Sequence, residues 1–151
     1  MARAPFQVLI FPYRIGHDGT VWFAIFQRAI TTGGYWQGIA GGGADDETPL
    51  DAARREAAEE AGINTNRPFV ALSAMCMLPV VNVCGFRWGA DVLVIPEYAF
   101  GVDVGDSTLR LSDEHITHEW LNYDDAMKRV HWDSNKTALW ELNHRLTVLQ
   151  K

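Results

Sequence analysis

Three glutamates, Glu56, Glu59 and Glu60, stand within one short run of alanines and arginines. Carboxylates three and four positions apart share one side of a helix. Oxygen donors packed that closely suit a hard divalent cation, above all Mg²⁺, with Mn²⁺ as a substitute. Held beside a phosphate, such a cation polarises its oxygens and stabilises the group that leaves. Without one the cluster is unfavourable. Glu56 and Glu60 repel each other at i,i+4 by a few tenths of a kcal/mol, and Glu59 and Glu60 sit near the helix C-terminus, the wrong end for anions. Arg55 relieves part of this by pairing with Glu59 or Glu47. A charge run on a helix is usually a solvated face, and the helix alone would be read that way. The glycines at 41–43 and the acids Asp45, Asp46 and Glu47 just before it change the balance.

The helix is well marked. Thr48 is a good N-cap, Pro49 suits the first helical position, and Asp51 stands where a capping box wants an acid. Gly62 supplies a left-handed cap after Ala61. On a helical wheel Leu50, Ala53, Ala57 and Ala61 form an apolar stripe beside the acidic one.

Around it the pattern predicts a strand from Phe6 to Tyr13, a turn over Gly16–Gly19 and a strand from Val21 to Gln27, paired as a hairpin. A short strand is expected over Tyr35–Ala40, followed by a glycine loop at 41–43. Strands are expected over Phe69–Met77, Gly89–Ile95, Tyr98–Val104 and His118–Leu121, with a short helix over Asp124–Val130. A last helix starts near Asp133 or Ser134 and runs toward Leu149, with Leu139, Leu142, Leu146 and Leu149 on one face. The economical sum is one α/β or α+β domain over residues 1–151.

Composition sets outer bounds. A hydrophobic share of 48% with 21% charged residues is globular. The net charge of −6 and the lack of a Lys/Arg cluster argue against duplex nucleic acid as a partner, though not against a phosphorylated small molecule whose metal inverts the local field. Cys76 and Cys84 fit no zinc spacing and are read as buried thiols in strands. No apolar run is long enough to span a membrane and no signal-peptide pattern opens the chain, so a cytoplasmic protein is expected.

The segment reads Gly41, five residues, Glu47, seven residues, then Arg55-Glu56-Ala57-Ala58-Glu59-Glu60-Ala61-Gly62-Ile63. It resembles the Nudix box at every fixed position. Chance would produce it on the order of once in 10⁸ start positions, which outweighs the solvated-face explanation. The resemblance implies a Nudix-type α/β/α sandwich with a mixed sheet and a loop–helix–loop across it. It implies that Glu56 and Glu60, helped by Glu59 and the Gly41 carbonyl, bind the metal, that Arg55 orients the glutamates, and that Glu47 braces Arg55.

The flanks are similar to the dihydroneopterin triphosphate pyrophosphatase group, often described as dATP pyrophosphohydrolases: Tyr35-Trp36-Gln37 before the box, Ser112-Asp113-Glu114-His115 and Glu119-Trp120-Leu121 after it, and Trp132 to Lys136 near the end. That likeness implies a metal-cluster role for Glu114, also the first choice of general base. His115 and His118 are expected to make structural hydrogen bonds instead. Trp36 is weighed equally as a ring-stacking and a core residue, and Arg28 as a phosphate grip or a strand-end charge. Gln37 joins the substrate-binding set, Lys136 is a weaker phosphate candidate, and Trp132 and Trp140 are assigned to the core. The expected reaction splits a nucleoside or pterin triphosphate into a monophosphate and pyrophosphate. The alternatives are cleavage of ADP-ribose or another nucleoside diphosphate derivative, and a non-catalytic nucleotide-binding module. A homodimer is left open.

Overall fold

The computed structural model describes residues 2–149. Strand β1 (Arg3–Ile15) turns at Gly16–Gly19 into β2 (Val21–Arg28). There follow β3 (Trp36–Gln37), β4 (Ile39–Ala44), helix α1 (Pro49–Ala61), β5 (Phe69–Pro79), β6 (Val94–Asp103), β7 (His115–Leu121), α2 (Tyr123–Arg129) and α3 (Asp133–His144), the last running into a π-helical turn at Arg145–Leu149. The strands make one seven-stranded mixed sheet in which β1 is central. It pairs parallel with β6 along one edge, and antiparallel with β4 and then β2 along the other. β5 extends the sheet beyond β6, and β7 beyond β2.

Alternation along β1 explains the layers, since neighbouring side chains on a strand point to opposite faces. Val8 and Ile10 join Phe26, Phe100 and the alanines Ala52, Ala53, Ala57 and Ala61 of α1 in one core. Leu9 and Phe11 join Phe23, Ile25, Leu139 and Leu142 in the other, under α2 and α3. This is the expected α/β/α layering. Small residues let α1 lie close to the sheet, so the position of its carboxylates is fixed by packing rather than by propensity. Its caps are those foreseen: Thr48 accepts from the Asp51 N–H at 3.1 Å, and Gly62 takes a φ of 68°.

Four expectations are corrected. The glycines at 41–43 form no loop but lie within β4, where Gly41 faces Val8 and Gly42 faces Gln7. They serve close approach: a Cβ on Gly43 would collide with the Phe6 ring, and one on Gly42 with the Arg3 guanidinium. The strand expected over Tyr35–Ala40 breaks at Gly38, where the chain leaves β2 for β1. The Gly38 N–H thereby lost to the ladder donates to the buried Asn135 Oδ1 at 2.8 Å. Gly89–Leu93 is irregular, and the two strands expected on either side of Pro96 are one, β6. Pro96 is tolerated because pairing with β1 starts only at Glu97. Cys76 lies half-buried in β5 and Cys84 half-buried in a turn, both as free thiols. No helix among the described residues is long and apolar enough to cross a membrane.

Candidate active site

The site is built on α1 and on the strand ends that face it. Arg55 is its hub. Its Nε and Nη2 grip both oxygens of Glu47 at 2.8 and 2.9 Å, a two-point pairing. Nη2 also donates to the Gly42 carbonyl at 2.9 Å. Nη1 reaches Glu56 at 2.9 Å and Glu59 at 3.3 Å. Glu47 is itself held by the Ala44 N–H at 2.8 Å. The Arg55 guanidinium keeps the Glu47 carboxyl below its usual range, and the carboxylates hold the Arg55 pKa above its own.

The other carboxylates are not balanced in this way. Burial, with Glu59 and Glu114 nearby, raises the Glu56 pKa against the pull of Arg55. Glu60 is pushed up to about 7, first by burial and then by Glu114 and Glu56, although Ser112 Oγ donates to its Oε2 at 2.7 Å. Buried His115 has its Nδ1 3.6 Å from the same oxygen, beyond hydrogen-bond reach. Burial lowers its pKa to about 4, so it is neutral at neutral pH and offers no counter-charge. Neither of its ring nitrogens has a hydrogen-bond partner, contrary to the structural bonding expected of it.

This surplus of negative charge tests the site's fit to a cation. Glu56, Glu59, Glu60 and Glu114 are hard oxygen donors of one sign, and among the described residues Arg55 is the one Lys or Arg in an ion pair with any of them, reaching Glu56 and Glu59. The backbone at Gly41 leaves no room for a Cβ beside the Glu56 carboxyl, so only glycine brings the main chain this close. Among the described residues no three His, Cys, Asp or Glu side chains converge tightly enough to enclose a metal by themselves. That suits an ion which keeps several waters and takes phosphate oxygens, as Mg²⁺ does. The donor set therefore fits a hard divalent cation.

A cavity of about 570 Å³ opens beside the helix. Gly41, Glu56, Glu114, Arg28 and Gln37 line it, so five residues picked out from the sequence meet there. Glu114 and Arg28 come together because Arg28 faces His115 where β7 joins β2. Glu47, Arg55, Glu59 and Glu60 stand behind Glu56 on α1 and its approach rather than on the cavity wall, and two of the four substrate-binding candidates also lie outside it. The Arg129 guanidinium sits over the Trp36 ring at 4.6 Å, and Lys136 Nζ donates to the Met127 carbonyl at 2.7 Å. Each faces the α2 side because β3 and the start of α3 turn them there. The ring on the cavity wall is instead Trp132, assigned to the core from sequence but 43% exposed. It stands just ahead of α3, its Nε1 held by Gln37 Oε1 at 2.9 Å and its face met edge-on by Tyr35. Trp140 is also exposed, on the outer face of α3.

Sequence reasoning quoted Ser112 only as part of a flank and gave it no role, although it steadies Glu60, and it passed over Glu97, buried on the cavity wall. A signal for Glu97 was present: it is the lone charge in the apolar run Val94 to Phe100.

The NUDIX domain family model matches residues 7–140. A NUDIX hydrolase from Listeria monocytogenes superposes with a TM-score of 0.84 at 34% identity, covering 95% of this chain and 94% of that one. The Escherichia coli dihydroneopterin triphosphate pyrophosphohydrolase follows at 0.74 and 19%, covering 100% and 99%. The Caenorhabditis elegans Ap4A hydrolase gives 0.73 and 19%, covering 95% and 98%. The last two likenesses speak for the fold alone. Comparison with curated proteins gives no match. A matching family model over nearly the whole chain, a relative of one-third identity and a carboxylate helix laid across a mixed sheet agree: the chain belongs to the Nudix family and is a hydrolase.

Proposed function

We propose that the chain hydrolyses a pyrophosphate linkage in a nucleoside- or pterin-triphosphate substrate, of the dATP or dihydroneopterin triphosphate type, releasing a monophosphate and pyrophosphate. One observation carries the reading. A single cavity is lined by the carboxylates Glu56 and Glu114, by Arg28 and by the rings of Tyr35 and Trp132, which is room for a phosphate chain and a planar ring together. Nudix hydrolases use divalent metal ions, usually Mg²⁺. In this reading Glu56, Glu60 and Glu114, helped by Glu59 and the Gly41 carbonyl, hold it. The bound cation would neutralise phosphate oxygens and stabilise the departing pyrophosphate.

The protein's own groups do the rest. Arg55, braced by Glu47, fixes Glu56 and Glu59 so that their oxygens keep their direction. Ser112 does the same for Glu60. Glu114, exposed and lining the cavity, would take the proton of the attacking water in this reading. Arg28 presents a forked donor to phosphate oxygens, and its backbone is held by the Tyr35 carbonyl at 2.9 Å. Gln37 acts through Trp132.

The test is hydrolysis of a panel containing dATP, dihydroneopterin triphosphate and ADP-ribose with Mg²⁺, with products identified. Pyrophosphate from a triphosphate is the expected result. AMP and ribose phosphate from ADP-ribose, with triphosphates untouched, would move the substrate to the diphosphate class. Tight binding without turnover of any member would mark a non-catalytic module.

A further inference from the structure

Glu97 has no role in the chemistry above, yet its placement is demanding. It is 5% exposed on β6, between Gln7 of β1 and Cys76 of β5 in the ladder. Gln7 Nε2 donates to its Oε2 at 3.1 Å, while Gln7 Oε1 accepts from Arg3 at 3.1 Å. Among the described residues no Lys, Arg or His forms an ion pair with it. A carboxylate buried without a cation is unfavourable unless hydrogen-bond donors surround it, and burial holds the Glu97 pKa above its usual range against the pull of two donors, Gln7 and Ser134. Glu97 is also not sealed in the core. It lines the cavity that holds Gly41, Glu56 and Trp132, and it lies beside Ser134, two positions on from Trp132.

We infer that Glu97 receives the ring edge of the substrate, and that this part of the cavity selects a ring with two adjacent N–H donors, the 2-amino-4-oxo edge shared by guanine and pterins. The inference rests on the pyrophosphohydrolase reading and extends it from the phosphate end to the ring end. A carboxylate accepts two parallel N–H bonds with charge assistance, the arrangement such an edge presents. Uracil offers one N–H between two carbonyl oxygens, which a carboxylate repels. Stacking on Trp132 cannot make this distinction, because every base has a π-face. A two-point pairing with a ring edge is worth about tenfold or more in discrimination.

The experiment compares dGMP with dUMP by calorimetric titration, and dGTP with dUTP in Mg²⁺-dependent hydrolysis, for the wild type and Glu97→Gln. The expected result is at least tenfold tighter binding of dGMP. In Glu97→Gln that preference is lost while dUMP affinity is unchanged, and KM for dGTP rises about tenfold at nearly constant kcat. Glu97→Asp, with a shortened reach, should reduce the preference too and serves if Glu97→Gln does not fold. Equal binding of the two monophosphates, binding of neither, or an equal loss for both in the variants overturns the assignment. A dGMP preference that depends on Glu97 without turnover of any triphosphate would sink the reaction and leave the ring edge standing. Turnover without preference would do the reverse.

Discussion

Glu60 shows how the charge of this site is divided. Arg55 satisfies Glu47 and steadies Glu56 and Glu59, but it does not reach Glu60, whose bonded partner is the neutral Ser112 hydroxyl. A buried carboxylate left with a hydroxyl and like-charged neighbours is costly, a cost that the proposed cation would relieve. Glu60→Gln keeps the shape and removes the charge. It is expected to lower Mg²⁺-dependent turnover by about a hundredfold or more, while the metal-free protein melts no lower than the wild type, since a repulsion has gone. Steady-state hydrolysis and thermal melts in EDTA check both halves. Near-normal turnover would take Glu60 out of the mechanism.

At the scale of elements the close contact of β4 with α1 matters most. Gly41 lies against the Glu56 carboxyl with no space for a methyl group. Gly41→Ala is expected to swing Glu56 away from Arg55 and weaken Mg²⁺ binding about tenfold or more, with the helix intact. Calorimetry against circular dichroism separates the two, and unchanged Mg²⁺ affinity would contradict it. This contact also marks where the sequence stopped being legible. Thr48, Pro49 and Gly62 announce α1 through local rules that need no tertiary partner, and the wheel alone sets Glu56 beside Glu60. The glycines at 41–43 read as a loop because glycine usually breaks a strand. What keeps them in β4 is the bulk of Phe6 and Arg3 opposite, which belongs to another element. Trp36 stayed undecided between stacking and core, and Trp132 was assigned to the core, for a similar reason: which ring meets a cavity depends on how β3 and α3 turn over the sheet. Glu97 was readable in principle as an isolated charge between apolar neighbours, but only its strand pairing says what it faces.

For the whole molecule the raised carboxylates tie stability to pH. Glu60, at about 7 in the folded chain against an ordinary 4.5, binds a proton that the unfolded chain has released. Its penalty on the metal-free fold is therefore absent below about pH 4.5, grows through the window to about 7 and is complete above it. Glu47 and Glu141, both lowered, act in the opposite sense, and their contribution is lost as pH falls below their ordinary 4.5. Metal-free stability should thus peak near pH 5. Because a cation competes with the proton on Glu60, the rise in Tm on adding Mg²⁺ should be several degrees larger at pH 8 than at pH 5. Melts with EDTA or Mg²⁺ at both values test this, and equal rises would refute it. One pairing also governs how the molecule comes into being. β1 lies parallel to β6, so Gln7 must wait for Glu97, ninety positions further on. On the ribosome the first hairpin and the acidic helix emerge long before the middle of the sheet can close. The Gln7–Glu97 contact that closes it also lines the cavity, so that wall of the site exists only once the two halves of the chain have met.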